Sequence, residues 1–348
     1  MSHISDDKLF SHSARVKGKV VVITGAANGI GKETALRFAS YGARVVVGDL
    51  DLAGARSVVS EIEKAGGHAS CIKCDVTNFD EQVEMFEMAI HNFGSVDIVI
   101  PNAGVSEMGT FQQLKIKDGK PVKPSVTTMN VNLTGVLYST CYLPYIWQAK
   151  NNPTSLHAAA HLAIHYLLLN QKEGDLKSLM FIGSVASWLG IPMGSMYSGS
   201  KHAVLGVMRS LHPTLEMKGI RVGCIHPFFA DTAIVPTPVK LVLAGIPLTP
   251  VHRIAGGIFY AATDPDIATN GSAWLLLDDG PLFMVPREEF KMGVYKMIDD
   301  RANSARAALT GIGAWVRFFR DVWRITGNSI VFAILLVGLA KVVYDYIL

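Results

Sequence analysis

Short β-branched runs separated by helix-like segments recur along most of this chain, and they restrict its fold more than any other feature. Val20–Thr24 runs into Gly-rich sequence, and Ala43–Gly48 and Val96–Ile100 repeat the pattern. Leu179–Ile182, Arg221–Ile225 and Ala273–Leu277 follow, each preceded by a helical stretch. Strands linked in this way lie parallel and are covered on both faces. The expected fold class is therefore α/β, a doubly wound parallel sheet.

At 348 residues, 49% apolar and 18% charged, the chain can bury a large core and lacks the composition of long disordered arms. A net charge of +3, with no dense Lys/Arg block interleaved with aromatics, argues against nucleic acid as a partner. Four cysteines, Cys71, Cys74, Cys141 and Cys224, are too few for a disulfide framework and fit a reducing compartment. The opening residues lack the apolar stretch of a secretory signal, so 1–16 read as a polar arm on a domain facing the cytosol. The alternating body spans 17–285. A long segment at about 150–178, between the helix near Leu133–Ala149 and the strand at Leu179, reads as a helical insertion, and 286–327 as a helical connector.

Thr24–Gly31, TGAANGIG, follows the first strand and opens a helix, the context of a dinucleotide-binding turn. Gly25 permits a tight turn, while Gly29 and Gly31 let the backbone approach a pyrophosphate at a helix N-terminus. Gly25, Asn28, Gly29, Ile30 and Gly31 are thus the expected cofactor contacts. Asp49 closes the second strand 18 residues after Gly31, where a carboxylate accepts hydrogen bonds from ribose hydroxyls and repels a 2′-phosphate. That favours NAD; Lys32 and Arg56 nearby soften the bias and leave NADP open. Asp51 reads as a solvated loop acid.

Tyr197 and Lys201, in YSGSKHAVLG, lie four apart and so share a helix face. A phenol with a pKa of about 10 is a poor base at neutral pH, but a neighbouring ammonium and a positive nicotinamide ring favour the phenolate. Tyr197 then serves as a proton shuttle. Thirteen residues earlier Ser184 ends a strand, where the loops of parallel sheets assemble their sites.

TGAANGIG, CDV at Cys74–Val76, NAG at Asn102–Gly104, VNLTG, the serine and YSGSK occur in the order seen in the short-chain dehydrogenase/reductase family, which residues 17–285 resemble. The resemblance implies a Rossmann fold and NAD(P)-dependent hydride transfer between nicotinamide and a secondary alcohol or ketone. It implies Tyr197 as general acid/base, Lys201 lowering its pKa and holding the nicotinamide ribose, Ser184 orienting the substrate oxygen, and Asn132 holding a water of the proton relay. By the same resemblance, Asp75 and Val76 meet the adenine edge, Asn102 and Ala103 the adenosine side, and Thr232 the nicotinamide carboxamide. Dimers or tetramers through the helices of Asn132 and Tyr197 are also implied.

Two positions depart from the family pattern. Pro101 stands where the family usually has Asn, which predicts a missing structural hydrogen bond, and Phe228 stands where Gly usually follows Pro227, which changes the loop or adds a substrate wall. His157, His161 and His165 share a helical face, but no acidic partner recurs beside them, and the C-x-x-C of Cys71 and Cys74 lacks a second pair. No metal is expected.

From Ile330 to Ala340 every residue is apolar or Gly, with Arg317, Arg320 and Arg324 before it and Trp315 and Trp323 nearby. Residues 328–348 are therefore expected to form a hydrophobic C-terminal helix that anchors the enzyme in a membrane, the rival being a helix packed on the domain or in an oligomer. Membrane attachment with Trp188, Met193, Met196, Phe228 and Phe229 near the site points to a small lipophilic substrate: steroid, terpenoid, polyketide or fatty-acid-derived. Against a working dehydrogenase stands a membrane-bound nucleotide-binding scaffold or sensor without turnover. The intact Asn132, Ser184, Tyr197 and Lys201 favour the dehydrogenase.

Overall fold

The computed structural model describes residues 2–107, 111, 114–140, 162–230, 232–235, 239–240, 243–278, 280–290, 320, 323 and 327. Its strands and helices alternate as the β-branched runs require: β1 (Ser2–Ile4), β2 (Val20–Thr24), α1 (Gly29–Ser40), β3 (Arg44–Asp49), α2 (Leu52–Lys64), β4 (His68–Lys73), α3 (Phe79–Phe93) and β5 (Ile98–Ile100). A two-stranded hairpin follows, β6 (Ile116–Lys117) and β7 (Lys120–Pro121). Then come α4 (Thr127–Met129), a π-helical turn (Asn130–Thr134), α5 (Gly135–Thr140), α6 (Leu162–Leu168), β8 (Ser178–Ile182), α7 (Ser195–Glu216), β9 (Arg221–Pro227), α8 (Val251–Thr263), β10 (Ala273–Leu276) and β11 (Leu282–Val285).

The main sheet has the order β1-β11-β10-β9-β8-β5-β2-β3-β4. From β10 to β4 every pairing is parallel, the expected doubly wound arrangement, while β11 and β1 add antiparallel to one edge. Strands β2, β5, β8 and β9 are buried at every residue, as a sheet covered on both faces demands. Because side chains alternate, Val21, Ile23, Val45, Val47, Ile98 and Ile100 meet Phe38 of α1 and Phe259 of α8 on one face. Phe38 and Phe259 pack with ring centroids 4.7 Å apart. Chain order reverses between β2 and β5, and the crevice beyond their carboxyl ends is where a doubly wound sheet takes its ligand.

Of the expected polar arm 1–16, residues 2–16 are built into this body. Ser2–Ile4 pairs with β11, Leu9 and Val16 are buried, and Asp6 holds Arg253 at 2.7 Å. The free sheet edge and the two apolar side chains within a polar stretch explain the difference. The helix expected at Leu133–Ala149 starts as the π-helical turn and is described as far as Thr140. Gln82 of α3 donates to Gly135 O and accepts from Ser139 Oγ, while one turn on Phe86 stacks on Tyr166 of α6 at 5.2 Å. Thus α5 and α6 lie on the same helix. The rest of the expected insertion, 150–161, falls outside the described residues, as do Cys141, His157 and His161.

Contacts divide the chain into two units, Met1–Arg287 and Glu288–Leu348. Most of 286–327 and all of 328–348 lie outside the described residues, the expected anchor included. Among the described residues no helix is long and apolar enough to cross a membrane.

Candidate active site

The Gly-rich turn sits at the carboxyl end of β2, in the crevice where chain order reverses. Gly25 has φ +65°, and a Cβ there would stand 2.6 Å from Ala103 Cα. A Cβ on Gly31 would press into Gly25 O and come within 2.6 Å of Asn102 Nδ2. The turn is thus packed against the end of β5 so closely that only glycine fits. Asn102 Nδ2 donates to Thr24 O at 3.0 Å and Gly25 O at 2.9 Å, and Ala103 N donates to Thr24 Oγ1 at 3.1 Å. These bonds join β2 and β5 although Pro101 replaces the usual Asn. Asn28 precedes α1 and is exposed, while Gly29 and Ile30 begin the helix.

Asp49 accepts from Ala27 N and Asp51 N, both at 2.9 Å, so its carboxylate faces the turn from the end of β3. Asp51 is more than a solvated acid: it caps α2 by accepting from Gly54 N at 3.0 Å. Asp75 Oδ1 accepts from Thr77 N and Thr77 Oγ1, and Val76 is buried against Gly135. The Thr232 methyl lies 3.5 Å from where a Gly29 Cβ would stand, and its buried hydroxyl has no hydrogen-bond partner among the described residues. A buried orphan hydroxyl over a glycine cradle is what a polar ligand atom would satisfy.

Ser184 follows the buried β8 in extended conformation. Its Oγ accepts from Ala186 N at 3.1 Å and its N donates to Ser187 Oγ at 3.2 Å, a capping box that closes the next turn. Its carbonyl lies 3.0 Å from His226 Nδ1. Burial takes that imidazole down to about 3, so it is neutral and Nδ1 donates. The Tyr197 phenol hydrogen-bonds the Ser184 hydroxyl; burial raises its pKa and this bond draws it back. One turn on, Lys201 is fully enclosed, donates to Ile182 O at 2.9 Å and stands 5.8 Å from the Tyr197 ring centroid. Burial brings its ammonium down to about 8.

Asn132 is buried in the π-helical turn. Its Oδ1 accepts from Val105 N at 2.8 Å, and its Nδ2 donates to Val105 O at 2.9 Å and Ser200 Oγ at 3.3 Å. Asn132 Oδ1 and Lys201 Nζ both flank Gly104, 3.3 and 3.8 Å from where its Cβ would stand. Glu107 was not legible in the sequence. Its carboxylate accepts from Tyr197 N at 2.8 Å and Met196 N at 3.4 Å, capping the catalytic helix from a loop 90 residues away. No spacing signals such a contact, nor the capping box that Ser184 forms with Ser187. Phe228 N donates to Leu276 O at 2.7 Å, and its half-buried ring packs edge-on to Phe229. Among the described residues no cluster of metal-ligating side chains occurs.

A glycine cradle at the reversal point of a parallel sheet, facing a Ser–Tyr–Lys cluster, defines a nucleotide-dependent oxidoreductase site. The family model for short chain dehydrogenases matches residues 19–151 and 147–239. The 3-oxoacyl-[acyl-carrier-protein] reductase of Synechocystis sp. is 30% identical over 255 residues, 72% of this chain and 91% of that protein. Cyclohexanol dehydrogenase of Acinetobacter sp. is 29% identical over 269 residues, 77% of this chain and 91% of that one. The crystal structure of 3-ketoacyl-(acyl-carrier-protein) reductase from Brucella melitensis complexed with NADH superposes with a TM-score of 0.61 at 25% identity, covering 76% of this chain and 98% of that one. The chain belongs to the short-chain dehydrogenase/reductase family and is an NAD(P)-dependent oxidoreductase acting on CH–OH or keto groups.

Proposed function

We propose that this enzyme interconverts a lipophilic secondary alcohol and its ketone with NAD, using Ser184, Tyr197, Lys201 and Asn132. The observation that carries the reading is the convergence of the Ser184 hydroxyl, the Tyr197 phenol and the buried Lys201 at the ends of β8 and β9. The cradle closed by Gly25 and Gly31 and the orphan Thr232 hydroxyl fit the dinucleotide, with the pyrophosphate at the start of α1 and the carboxamide at Thr232. Bound there, NAD supplies the hydride acceptor.

In the oxidative direction Ser184 Oγ holds the substrate oxygen beside Tyr197. The hydroxyl proton passes to the phenolate as the hydride leaves the carbinol carbon. Burial opposes the phenolate and the hydrogen bond with Ser184 favours it. The ammonium of Lys201, 5.8 Å from the ring centroid, and the positive charge of the oxidised nicotinamide act in the same direction as that bond. Asn132 spends its amide hydrogens on Val105 and Ser200 and one lone pair on Val105 N. The remaining lone pair of Oδ1, beside Lys201, is left to hold the relay water.

NAD is favoured over NADP because Asp49 faces the ribose position and Lys32 is engaged by Glu61 at 2.8 Å. A lipophilic substrate is favoured by Trp188, Phe228 and Phe229 and by the exposed Leu189 and Met193 in the loop between Ser184 and Tyr197. Cyclohexanol, in the name of one relative, is itself an alicyclic secondary alcohol. In this reading the apolar stretch 328–348 anchors the enzyme with its catalytic unit on the cytosolic side, as a homo-oligomer.

The test follows NADH absorbance with a panel of lipophilic secondary alcohols and ketones, NAD and NADP in parallel, and Tyr197→Phe as control. Turnover with NAD, lost in Tyr197→Phe while NADH binding persists, is expected. Turnover unchanged by that substitution, or confined to small polar alcohols, refutes the proposal.

A further inference from the structure

Between the loop that carries Glu107 and the turn that carries Asn132 stands the hairpin β6–β7. Every residue from Leu114 to Thr127 is exposed. Large apolar side chains lie open to water: Leu114 at 73%, Ile116 at 57%, Phe111 at 51%, Val126 at 42% and Val122 at 41%. Lys115, Lys117, Lys120 and Lys123 are interleaved with them, and Asp118 is the one acid between Phe111 and Val126. Among the described residues none of these lysines makes an ion pair.

The hairpin is a defined element. Asp118 and Gly119 form its turn at φ 52° and 71°, the left-handed pair that a two-residue hairpin loop requires, and Val122 N donates to Lys115 O at 2.8 Å below the ladder. Its register sets Lys117 directly opposite Lys120. Like charges facing across a strand pair destabilise it in water. Exposed apolar side chains and cations with no ion pair among the described residues share one element, so both costs are relieved by a surface that is apolar and anionic.

Its base is fixed at the active site. Glu107 holds the amino end of α7, Thr128 Oγ1 donates to Ser106 O at 3.1 Å, and Asn132 holds Val105 at both backbone groups. The hairpin therefore rises from the same edge of the sheet, beyond the carboxyl ends of the strands, as Tyr197.

We propose that the hairpin 114–123 seats on an anionic lipid bilayer and holds the edge bearing the active site toward it. The lysines meet lipid phosphates and carboxylates, and Leu114, Ile116 and Val122 enter the interfacial layer. A second copy of the hairpin fits less well, since four lysines against the single acid Asp118 would face the same net positive charge.

The experiment is flotation of the full chain with phosphatidylcholine vesicles, with and without phosphatidylserine, comparing the parent, Lys115→Gln/Lys117→Gln/Lys120→Gln, and Leu114→Ser/Ile116→Ser. The C-terminal apolar stretch and the arginines before it are common to all three, so the difference between the parent's and the triple variant's gain on adding phosphatidylserine isolates the hairpin lysines. At about fivefold per neutralised lysine, that gain falls on the order of 100-fold in the triple variant. The double variant loses several-fold on either vesicle. NADH binding unchanged in both variants shows that the fold survives, and no substrate is needed, so the result is independent of the substrate assignment. Vesicle binding indifferent to phosphatidylserine or to the three lysines overturns the proposal. So does a loss of oligomer in the variants with vesicle binding intact, which would assign the hairpin to a second copy.

Discussion

Replacing Lys201 by methionine is expected to abolish turnover and stabilise the cofactor-free enzyme. Burial takes the Lys201 ammonium from its ordinary 10.5 to about 8. At about 1.4 kcal/mol per tenfold change in proton affinity, the charged form costs the folded chain about 3 kcal/mol at neutral pH. Methionine has similar length and no charge. It forfeits the bond from Nζ to Ile182 O, about 1–2 kcal/mol with the carbonyl left less satisfied. The balance is a gain of about 1–2 kcal/mol, or about 2–4 °C in Tm for a unit of this size. The pH dependence has a definite sign. Between pH 8 and 10.5 the unfolded chain holds more protons on this residue than the folded one, so the parent gains stability as pH rises and the gap between the two proteins shrinks. Thermal unfolding of both proteins between neutral pH and about pH 10 measures this. A variant less stable than the parent by about 2 kcal/mol at pH 7, or a gap that ignores pH, would refute the reasoning.

Glu107→Ala leaves the first N–H groups of the catalytic helix uncapped and is expected to lower kcat about tenfold at unchanged NADH affinity, with Glu107→Gln recovering much of the loss; steady-state kinetics and cofactor titration separate the two. Gly31→Ala drives a Cβ into Gly25 O and Ala26 Cα, atoms that cannot move aside, so NADH binding falls at least 100-fold and Tm drops by the equivalent of about 1–3 kcal/mol. Removing residues 142–161 sets buried Val136, Thr140 and Ile164 at intervals of four, and likewise Ser139, Ala163 and Leu167, so α5 and α6 join as one helix in phase on α3. That deletion is expected to yield a soluble protein with Tm no lower than the parent's; an insoluble product would show that the two helices are not halves of one.

Much of the site was legible because its chemistry is local. Tyr197 and Lys201 are one helical turn apart, and Ser184 ends a strand thirteen residues before Tyr197. The Gly-rich turn announces itself by the strand before it and the helix after it. Glu107 and His226 were not legible. The first meets Tyr197 N across 90 residues and the second meets the Ser184 carbonyl across 42, and no periodicity encodes such contacts. The same holds for 1–16: a mostly polar composition hid Leu9 and Val16, whose burial depends on the space left by α8 and the sheet edge.

What the amino-acid order decided by itself was the alternation of strand and helix, hence a parallel sheet with its ligand crevice at the β2–β5 reversal, and the residue types available there. Period-2 burial and one-turn spacing are properties of neighbours along the chain, so they can be read without coordinates. Tertiary structure alone decided how those groups are held. It encloses Lys201 until burial lowers its proton affinity, keeps His226 neutral against Ser184, and turns Asn132 toward Val105 and Ser200. It also leaves the lysines of β6–β7 facing each other in water. Each of these depends on what packs around a side chain from distant sequence, and desolvation and hydrogen-bond geometry exist only once the chain has folded.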